Sequence, residues 1–166
     1  MTALETMDEA VVLEQPASWE VYLKDSSVPF DERLDRWEQF VSQFDSPPCP
    51  LKHELPDGLY VRTIHVPAGT ILVTQIHKKD NPFFVTKGRV TVISDNEGIK
   101  EYKAPFSGIT KPGTRRLIFV HEDVEWTTVH PNPRNLTDLD ELESEYVESK
   151  ESSKMLRQQQ QRLLAA

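Results

Sequence analysis

Short strand-like segments separated by turn residues fill the middle of the chain, from residue 58 to residue 130. The segments are rich in β-branched and aromatic residues, which favour a half-buried pleated surface. Glycine, proline, asparagine and aspartate cluster between the segments and favour turns. This regular alternation predicts a β-sandwich or a β-barrel. The predicted strands are LYVRTIHV, TILVTQIH, PFFVTKGRVTVI, GIKEYKA, RRLIFVH and EWTTVH.

Helical patterns flank this middle segment. Residues 31–44 carry one apolar stripe, which predicts an amphipathic helix that either docks on the protein's own sheet or grips a partner subunit. After the strands, Thr137 and Asp140 resemble a capping arrangement, and they precede a short apolar stripe at Leu139, Leu142 and Tyr146. The first stripe comprises Leu34, Trp37, Phe40, Val41 and Phe44. We therefore divide the chain into an acidic flexible arm at 1–17, a helical N-terminal extension and linker at 18–57, a β-barrel at 58–133, and a C-terminal helix and tail at 134–166.

Charge is unevenly distributed over the 166 residues, whose net charge is -8. Residues 1–58 are strongly acidic, whereas residues 59–134 are mildly basic. An acidic chain argues against general nucleic-acid binding, because phosphate contacts need a basic face, but the basic middle segment leaves room for a local anion site. No apolar run is long enough to cross a bilayer, and no secretory signal is visible, so we expect no membrane association. A single cysteine, Cys49, excludes an intrachain disulfide and is compatible with a reducing compartment.

The segment from Gly69 to Gly88 carries a recognisable spacing of potential ligand residues. Five residues separate Gly69 from Gln75, His77 follows Gln75 by two positions, Asn81 comes after three more residues, and Gly88 after another six. This spacing resembles the first motif of the cupin family, G-x5-H-x-H-x3-4-E-x6-G. The resemblance covers somewhat under half of the chain and implies a mainly β fold, a cupin-type jelly-roll barrel flanked by an N-terminal amphipathic helix and a C-terminal helix.

The residue types at these positions depart from the family. The resemblance implies that two histidines and a glutamate would hold a divalent metal, but only His77 keeps a ligand identity, since Gln75 and Asn81 are neutral amides. In the family's second motif, KPGTRR is the best match and places Arg116 at a histidine position. A guanidinium is a permanent cation and would repel a bound metal. We therefore predict no metal and no cofactor, and a ligand-binding pocket formed by Gln75, His77, Asn81 and Arg116 that takes a small anionic or phosphorylated molecule.

Strand alternation supports this grouping. It places Ile71, Val73, Gln75 and His77 on one face of their strand, and Arg116 on the same face as Ile118 and Val120. The alternative is that His77 is an inert, partly buried histidine and that Arg116 points outward to pair with Glu122 or Asp123. The remaining histidines at strand ends are able to approach one another in a barrel without forming a ligand signature: His65, His121 and His130.

The middle segment is also similar to cupin-like proteins encoded by tailed bacteriophages. DGLYVRTIHVPAGT, GITKPGTRR and EDVEWTTVHPN carry this resemblance. It implies a phage accessory protein in the cytoplasm of a bacterial host, or a component of the virion. Cupins commonly pair through their sheets, so a homodimer is expected by fold analogy.

Three functions follow from these patterns. The first is a non-catalytic module that binds a small polar or anionic ligand in a metal-free barrel pocket. The second is a structural or interaction protein that uses the barrel as a scaffold and its helices for assembly with virion proteins. The third is a cupin enzyme, either metal-dependent or of the metal-free isomerase type, with His77 as its lone candidate base. The missing ligands place the enzyme last.

Overall fold

The computed structural model describes residues 25–41 and 47–148. The arm predicted at 1–17 and the tail beyond residue 148 lie outside the described residues. Two helices and seven strands make up the described part. In chain order they are α1 (Phe30–Val41), β1 (Leu51–Glu54), β2 (Leu59–Val66), β3 (Ile71–Val73), β4 (Asn81–Ser94), β5 (Gly98–Lys103), β6 (Phe106–Thr110), β7 (Arg116–Pro131) and α2 (Leu139–Tyr146).

Two long antiparallel strands, β4 and β7, form the spine of the sheet. They pair with each other from Phe83 opposite Thr128 to Ser94 opposite Arg116, with register shifts between Val85 and Val90. The first part of β4 also pairs with β6 and the last part with β5, while β7 pairs with β3 at its beginning and with β2 towards its end. These shared strands curl the sheet around an apolar interior. The prediction of a mainly β barrel with a helix on each side is confirmed.

The barrel interior is packed by one face of the spine strands. Its buried cluster comprises Val66, Phe83, Val85, Val90, Val92, Tyr102, Ile118, Val120, Val124 and Trp126. The opposite face of the same strands is also buried, because α1 lies across it. Leu34 and Trp37 of α1 pack there against Ile71, Leu117 and Phe119. The described part of the amphipathic stripe therefore docks on the protein's own sheet, as the first alternative predicted; Phe44 lies outside the described residues.

Two glycines of the motif have backbone conformations that side chains rarely adopt. Gly69 has a φ of 82° and Gly88 a φ of 91°. At Gly88, an added Cβ would lie 2.3 Å from the backbone oxygen of Asp123, so β7 crosses too closely for any side chain. Gly88 lies where the pairing of β4 with β7 shifts in register. The last glycine of the motif therefore lies at a bend of the barrel wall.

Three local predictions need correction. The strand predicted at 70–77 ends at Val73, and RRLIFVH and EWTTVH belong to one continuous strand, β7. Residues 51–54, which the sequence placed in the linker, form β1 and pair with β2 because the extended backbone finds an open edge there. The cap of α2 is Asp138, whose carboxylate accepts a hydrogen bond from the backbone nitrogen of Glu141, rather than Thr137.

Helix α2 closes one end of the barrel. Leu142 and Tyr146 are buried against Tyr60 of β2, whereas Leu139 is partly exposed. Just after α2, the backbone nitrogen of Glu148 donates to the carbonyl of Ile76, and the nitrogen of Lys78 donates to the carbonyl of Tyr146. These contacts hold the segment that carries His77 against residues 146–148, outside β3.

Candidate functional site

Arg116 is the first residue of β7 and points into the barrel. Only 3% of its surface is exposed. Its Nη1 donates to the hydroxyl of Thr110 at 2.8 Å, and its guanidinium lies 5.3 Å from the centre of the Phe83 ring. Burial lowers the pKa of Arg116, but a guanidinium keeps its charge at physiological pH. The barrel therefore contains a permanent cation at the end of its apolar interior.

No carboxylate lies within ion-pair distance of Arg116 among the described residues, and its Nε has no hydrogen-bond partner there. The alternative in which Arg116 points outward to Glu122 or Asp123 is wrong. Asp123 instead accepts a hydrogen bond from the backbone nitrogen of Ala68. Buried charges are usually paired, because an unpaired ion loses its hydration without compensation.

A cleft of about 350 Å³ opens beside Arg116. Aromatic side chains form one of its walls: the rings of Tyr102 and Phe106 stack at 4.2 Å, and that of Phe83 stacks on Trp126 at 4.7 Å. Gly108 leaves room for Phe83, since an added Cβ would lie 2.8 Å from its ring. The lining residues are Phe83, Glu97, Lys100, Glu101, Tyr102, Phe106, Gly108, Ile109 and Arg116.

Asn81 lies next to this cluster and is almost completely buried. It pairs across the sheet with Thr110, the residue to which Arg116 donates. Neither the oxygen nor the nitrogen of its amide has a partner among the described residues. A buried amide without hydrogen bonds is unfavourable by roughly 1–3 kcal/mol, so a water molecule or a ligand atom is expected beside it.

His77 is half-buried and belongs to a second, aromatic group at the end of the barrel that α2 closes. Its ring stacks on His130 at 6.1 Å, and His130 stacks on Tyr146 at 4.5 Å. Burial lowers the pKa of His77 to about 4, and the positive charges of Arg116 and Arg62 act in the same direction. Burial likewise lowers the pKa of His130 to about 4. Both imidazoles are therefore neutral at pH 7.

Of the four predicted site residues, the structure brings only Asn81 and Arg116 together, since His77 lies in the second group. Gln75 joins neither group. It is half-buried in the segment between β3 and His77, and no side-chain hydrogen bond links it to another described residue. Strand alternation fails here for a physical reason. Ile71 and Val73 face α1 on the outside of the barrel, and the chain leaves the strand at Val73, so the alternation does not extend to Gln75 and His77.

Several residues of the cleft and its surroundings carry no sequence signal of a site. Tyr102, Phe106 and Glu97 have no motif around them, because only the pairing of β5 and β6 with β4 brings them to Arg116. The strand-end histidines do not approach one another. His65 lies 3.6 Å from Glu125, His121 contacts the hydroxyl of Thr91 at 2.6 Å, and His130 joins His77.

The residues at the family's metal positions do not fit a divalent cation. His77 has the only conventional metal-ligand side chain among the four, and its positively charged neighbour Arg116 opposes a second positive charge. Within residues 25–41 and 47–148, no three histidine, cysteine, aspartate or glutamate side chains converge as metal ligands.

The fold and the cleft define a mainly β barrel with an inward-facing arginine. Several solved structures are similar to part of this chain. A cupin family protein of Methanocaldococcus jannaschii with a double-stranded β-helix fold has a TM-score of 0.45 at 16% identity, covering 57% of this chain and 90% of that one. A cupin-2 domain protein of Shewanella frigidimarina has a TM-score of 0.41 at 12% identity, covering 58% and 92%. A cupin 2 conserved barrel domain protein of Salinispora arenicola has a TM-score of 0.43 at 14% identity, covering 52% and 78%.

These likenesses assign neither a ligand nor an activity to the chain. No protein-family model matches the sequence, and no curated protein matches it. Neither helix in the described part of the chain is long and apolar enough to cross a membrane.

Proposed function

We propose that the protein is a non-catalytic binding module that holds a small anionic ligand in the barrel cleft. The proposal rests on Arg116, whose buried guanidinium lies beside the cleft and has no described carboxylate as its partner. A bound anion would supply the missing charge and accept a hydrogen bond from Nε of Arg116, which has no partner among the described residues. Asn81 adds unpaired polar atoms close to the same place.

The non-catalytic part of the proposal concerns His77. A general base needs a group that orients its ring, and Nδ1 of His77 has no such partner among the described residues. Its low pKa also makes it a weak base at pH 7. These features favour binding over acid–base chemistry, and a ligand recovered unchanged after incubation with the protein would agree with them.

Isothermal titration with benzoate and with inorganic phosphate tests the binding function. We expect at least one of these anions to bind the wild-type protein and Arg116→Gln to lose that binding. Lys111→Gln is the matched control, because Lys111 is an exposed cation that pairs with Asp80 and does not line the cleft. The proposal is wrong if neither anion binds, or if Arg116→Gln binds as tightly as the wild type while circular dichroism shows that it is folded.

The resemblance to tailed-phage proteins supports the finer proposal of a phage accessory protein, located in the host cytoplasm or in the virion. Mass spectrometry of gradient-purified particles from a phage that encodes this protein distinguishes the two locations. Recovery in stoichiometric amounts with the particles would favour the assembly function over the ligand-binding one.

We also propose that the protein forms a homodimer. Ile99 on β5 and Ile109 on β6 are exposed apolar side chains, and both strands pair only with β4 in the described sheet. Light scattering coupled to size exclusion measures the mass directly. A dimer that Ile99→Lys and Ile109→Lys together convert to a monomer would support this pairing, and a monomeric wild type would contradict it.

A further inference from the structure

The cleft beside Arg116 has an aromatic side that is suited to a flat apolar group. Tyr102 and Phe106 stack on each other, and the Phe83 ring lies 5.7 Å from that of Tyr102. Phe106 is partly exposed at this wall, so a ligand ring would cover apolar surface that water now contacts. At about 350 Å³ the cleft lies near the lower end of small-molecule sites, which span about 300–1,000 Å³ and bury most of their ligands. This size fits a single ring with a short substituent.

The charged residues that line the cleft are of both signs. Arg116 and Lys100 contribute two positive charges, and Glu97 and Glu101 contribute two negative ones. Glu101 has its own partner, since it accepts a hydrogen bond from Arg89 at 3.2 Å. An anion in the cleft therefore meets a lining without an excess of positive charge.

Glu97 is the acid that most directly affects Arg116. It lies on the turn between β4 and β5, and its electrostatic influence reaches the guanidinium. The contacts of its carboxylate are long: the hydroxyl of Tyr102 lies 3.4 Å away and the Nζ of Lys100 3.9 Å away. The carboxylate of Glu97 would repel a doubly charged ligand more than a singly charged one.

We propose that the cleft selects an aromatic monocarboxylate, with its carboxylate on Arg116 and its ring against Tyr102, Phe106 and Phe83, and that Glu97 discriminates against phosphate-bearing ligands. This inference rests on the proposed binding function and narrows the class of ligand. A carboxylate matches the planar guanidinium fork with a single negative charge. A phosphate monoester carries nearly two negative charges at neutral pH, and Glu97 would repel the second of them.

Three probes with the same ring separate these requirements in titration calorimetry at pH 7.5. They are phenylacetate as the monoanion, phenylacetamide as its uncharged analogue, and phenyl phosphate as the dianion; inorganic phosphate tests for an anion site without a ring. We expect phenylacetate to bind at least about tenfold more tightly than each of the others, since one lost charge contact or one uncompensated repulsion is of this order.

Glu97→Gln tests the discrimination itself. This exchange keeps the size of the side chain on an exposed turn and removes its charge. We expect phenyl phosphate to bind about fivefold more tightly to this variant than to the wild type. The affinity for phenylacetate should change by less than about twofold, because Glu97 repels a monoanion less than a dianion. Glu122→Gln, an exposed acid that does not line the cleft, should leave both affinities unchanged.

The outcomes separate this inference from the proposed function. Phenyl phosphate that binds as tightly as phenylacetate in the wild type, with binding that Arg116→Gln removes, overturns the carboxylate preference and leaves the binding function intact. Equal gains for both ligands in Glu97→Gln overturn the role of Glu97. A wild type that binds none of the four probes, and does not bind benzoate, overturns both proposals. The wild-type comparison requires no variant, so misfolding of Arg116→Gln would not leave the ligand class undecided.

Discussion

Arg115 and Arg116 are neighbours in sequence and both are buried, yet their guanidinium groups meet opposite environments. Arg115 points outward to α1, where Asp35 lies 2.7 Å and Glu38 2.9 Å from its nitrogens. Arg116 points inward to Thr110 and the Phe83 ring and has no described acidic partner. Successive side chains of an extended segment point to opposite faces. Arg115 therefore fastens α1 to the sheet, whereas Arg116 places a positive charge beside the cleft.

Replacing Arg115 should loosen α1. Arg115→Gln removes the cation that both Asp35 and Glu38 contact. We expect the free energy of unfolding to fall by about 1–3 kcal/mol, below the effect of a fully buried pair because both carboxylates remain partly hydrated. Urea denaturation followed by circular dichroism measures this change. Arg36→Gln is the control, since it removes an exposed pair with Glu32 that is worth less than about 0.5 kcal/mol. Equal stabilities of the two variants would contradict the fastening role.

The packing of α1 on the sheet should also depend on its apolar stripe. Trp37→Ala removes a large side chain buried against the outer face of the spine strands, and we expect it to lower the free energy of unfolding by about 3–5 kcal/mol. Phe84→Ala serves as control, because Phe84 is an aromatic residue that is 42% exposed. The same urea experiment compares them, and a loss of less than about 1 kcal/mol in Trp37→Ala would show that α1 contributes little to the stability of the barrel.

Gly88 should tolerate no side chain, whereas Gly98 should. Both have positive φ angles, but an added Cβ at Gly88 meets the backbone oxygen of Asp123, while nothing lies within 4 Å at Gly98. We expect Gly98→Ala to be destabilising by about 1–2 kcal/mol, from the backbone conformation alone. Gly88→Ala should lose clearly more or fail to fold. Thermal unfolding of the two variants side by side checks this, and similar melting temperatures would refute the close crossing of β4 and β7.

The free energy of unfolding should fall as the pH drops from about 6.5 to about 4, because His77 and His130 take up protons when the protein unfolds. Their pKa values are about 4 in the folded protein, against 6.5 for an unperturbed histidine. Between these values the unfolded chain binds more protons than the folded one, so acid favours unfolding, and the contribution is complete above pH 6.5. Each histidine adds a slope of at most about 1.4 kcal/mol per pH unit in this window.

Urea unfolding at a series of pH values measures this slope. The double variant His77→Asn and His130→Asn should have a flatter dependence between pH 6.5 and pH 4 than the wild type, because the two groups that take up protons on unfolding are gone. Carboxylate titration is common to both proteins and cancels in the comparison. A slope that is the same in both would show that the two imidazoles titrate normally in the folded state.

Residue type and side-chain periodicity were enough to predict the mainly β barrel and its first helix. Gly88 must be a glycine where β7 crosses the wall, and the apolar stripe of α1 must be buried somewhere, whichever fold the rest of the chain adopts. Gln75 shows the limit of the same approach. Strand alternation holds only while the strand continues, and the end of β3 is decided by the pairing of residues 76–78 with the segment after α2.

The amino-acid sequence by itself determined the mainly β barrel, the helix on each side of it, and the replacement of conventional metal ligands by amides and an arginine. These features follow from side-chain periodicity, turn chemistry and residue type, all of which are local. Only the tertiary structure decided which groups share a site. The aromatic wall and Glu97 reach Arg116 through the pairing of β5 and β6 with β4, and His130 reaches His77 through the closure of the barrel. Such contacts join residues far apart in the chain, and their formation depends on the packing of the whole barrel.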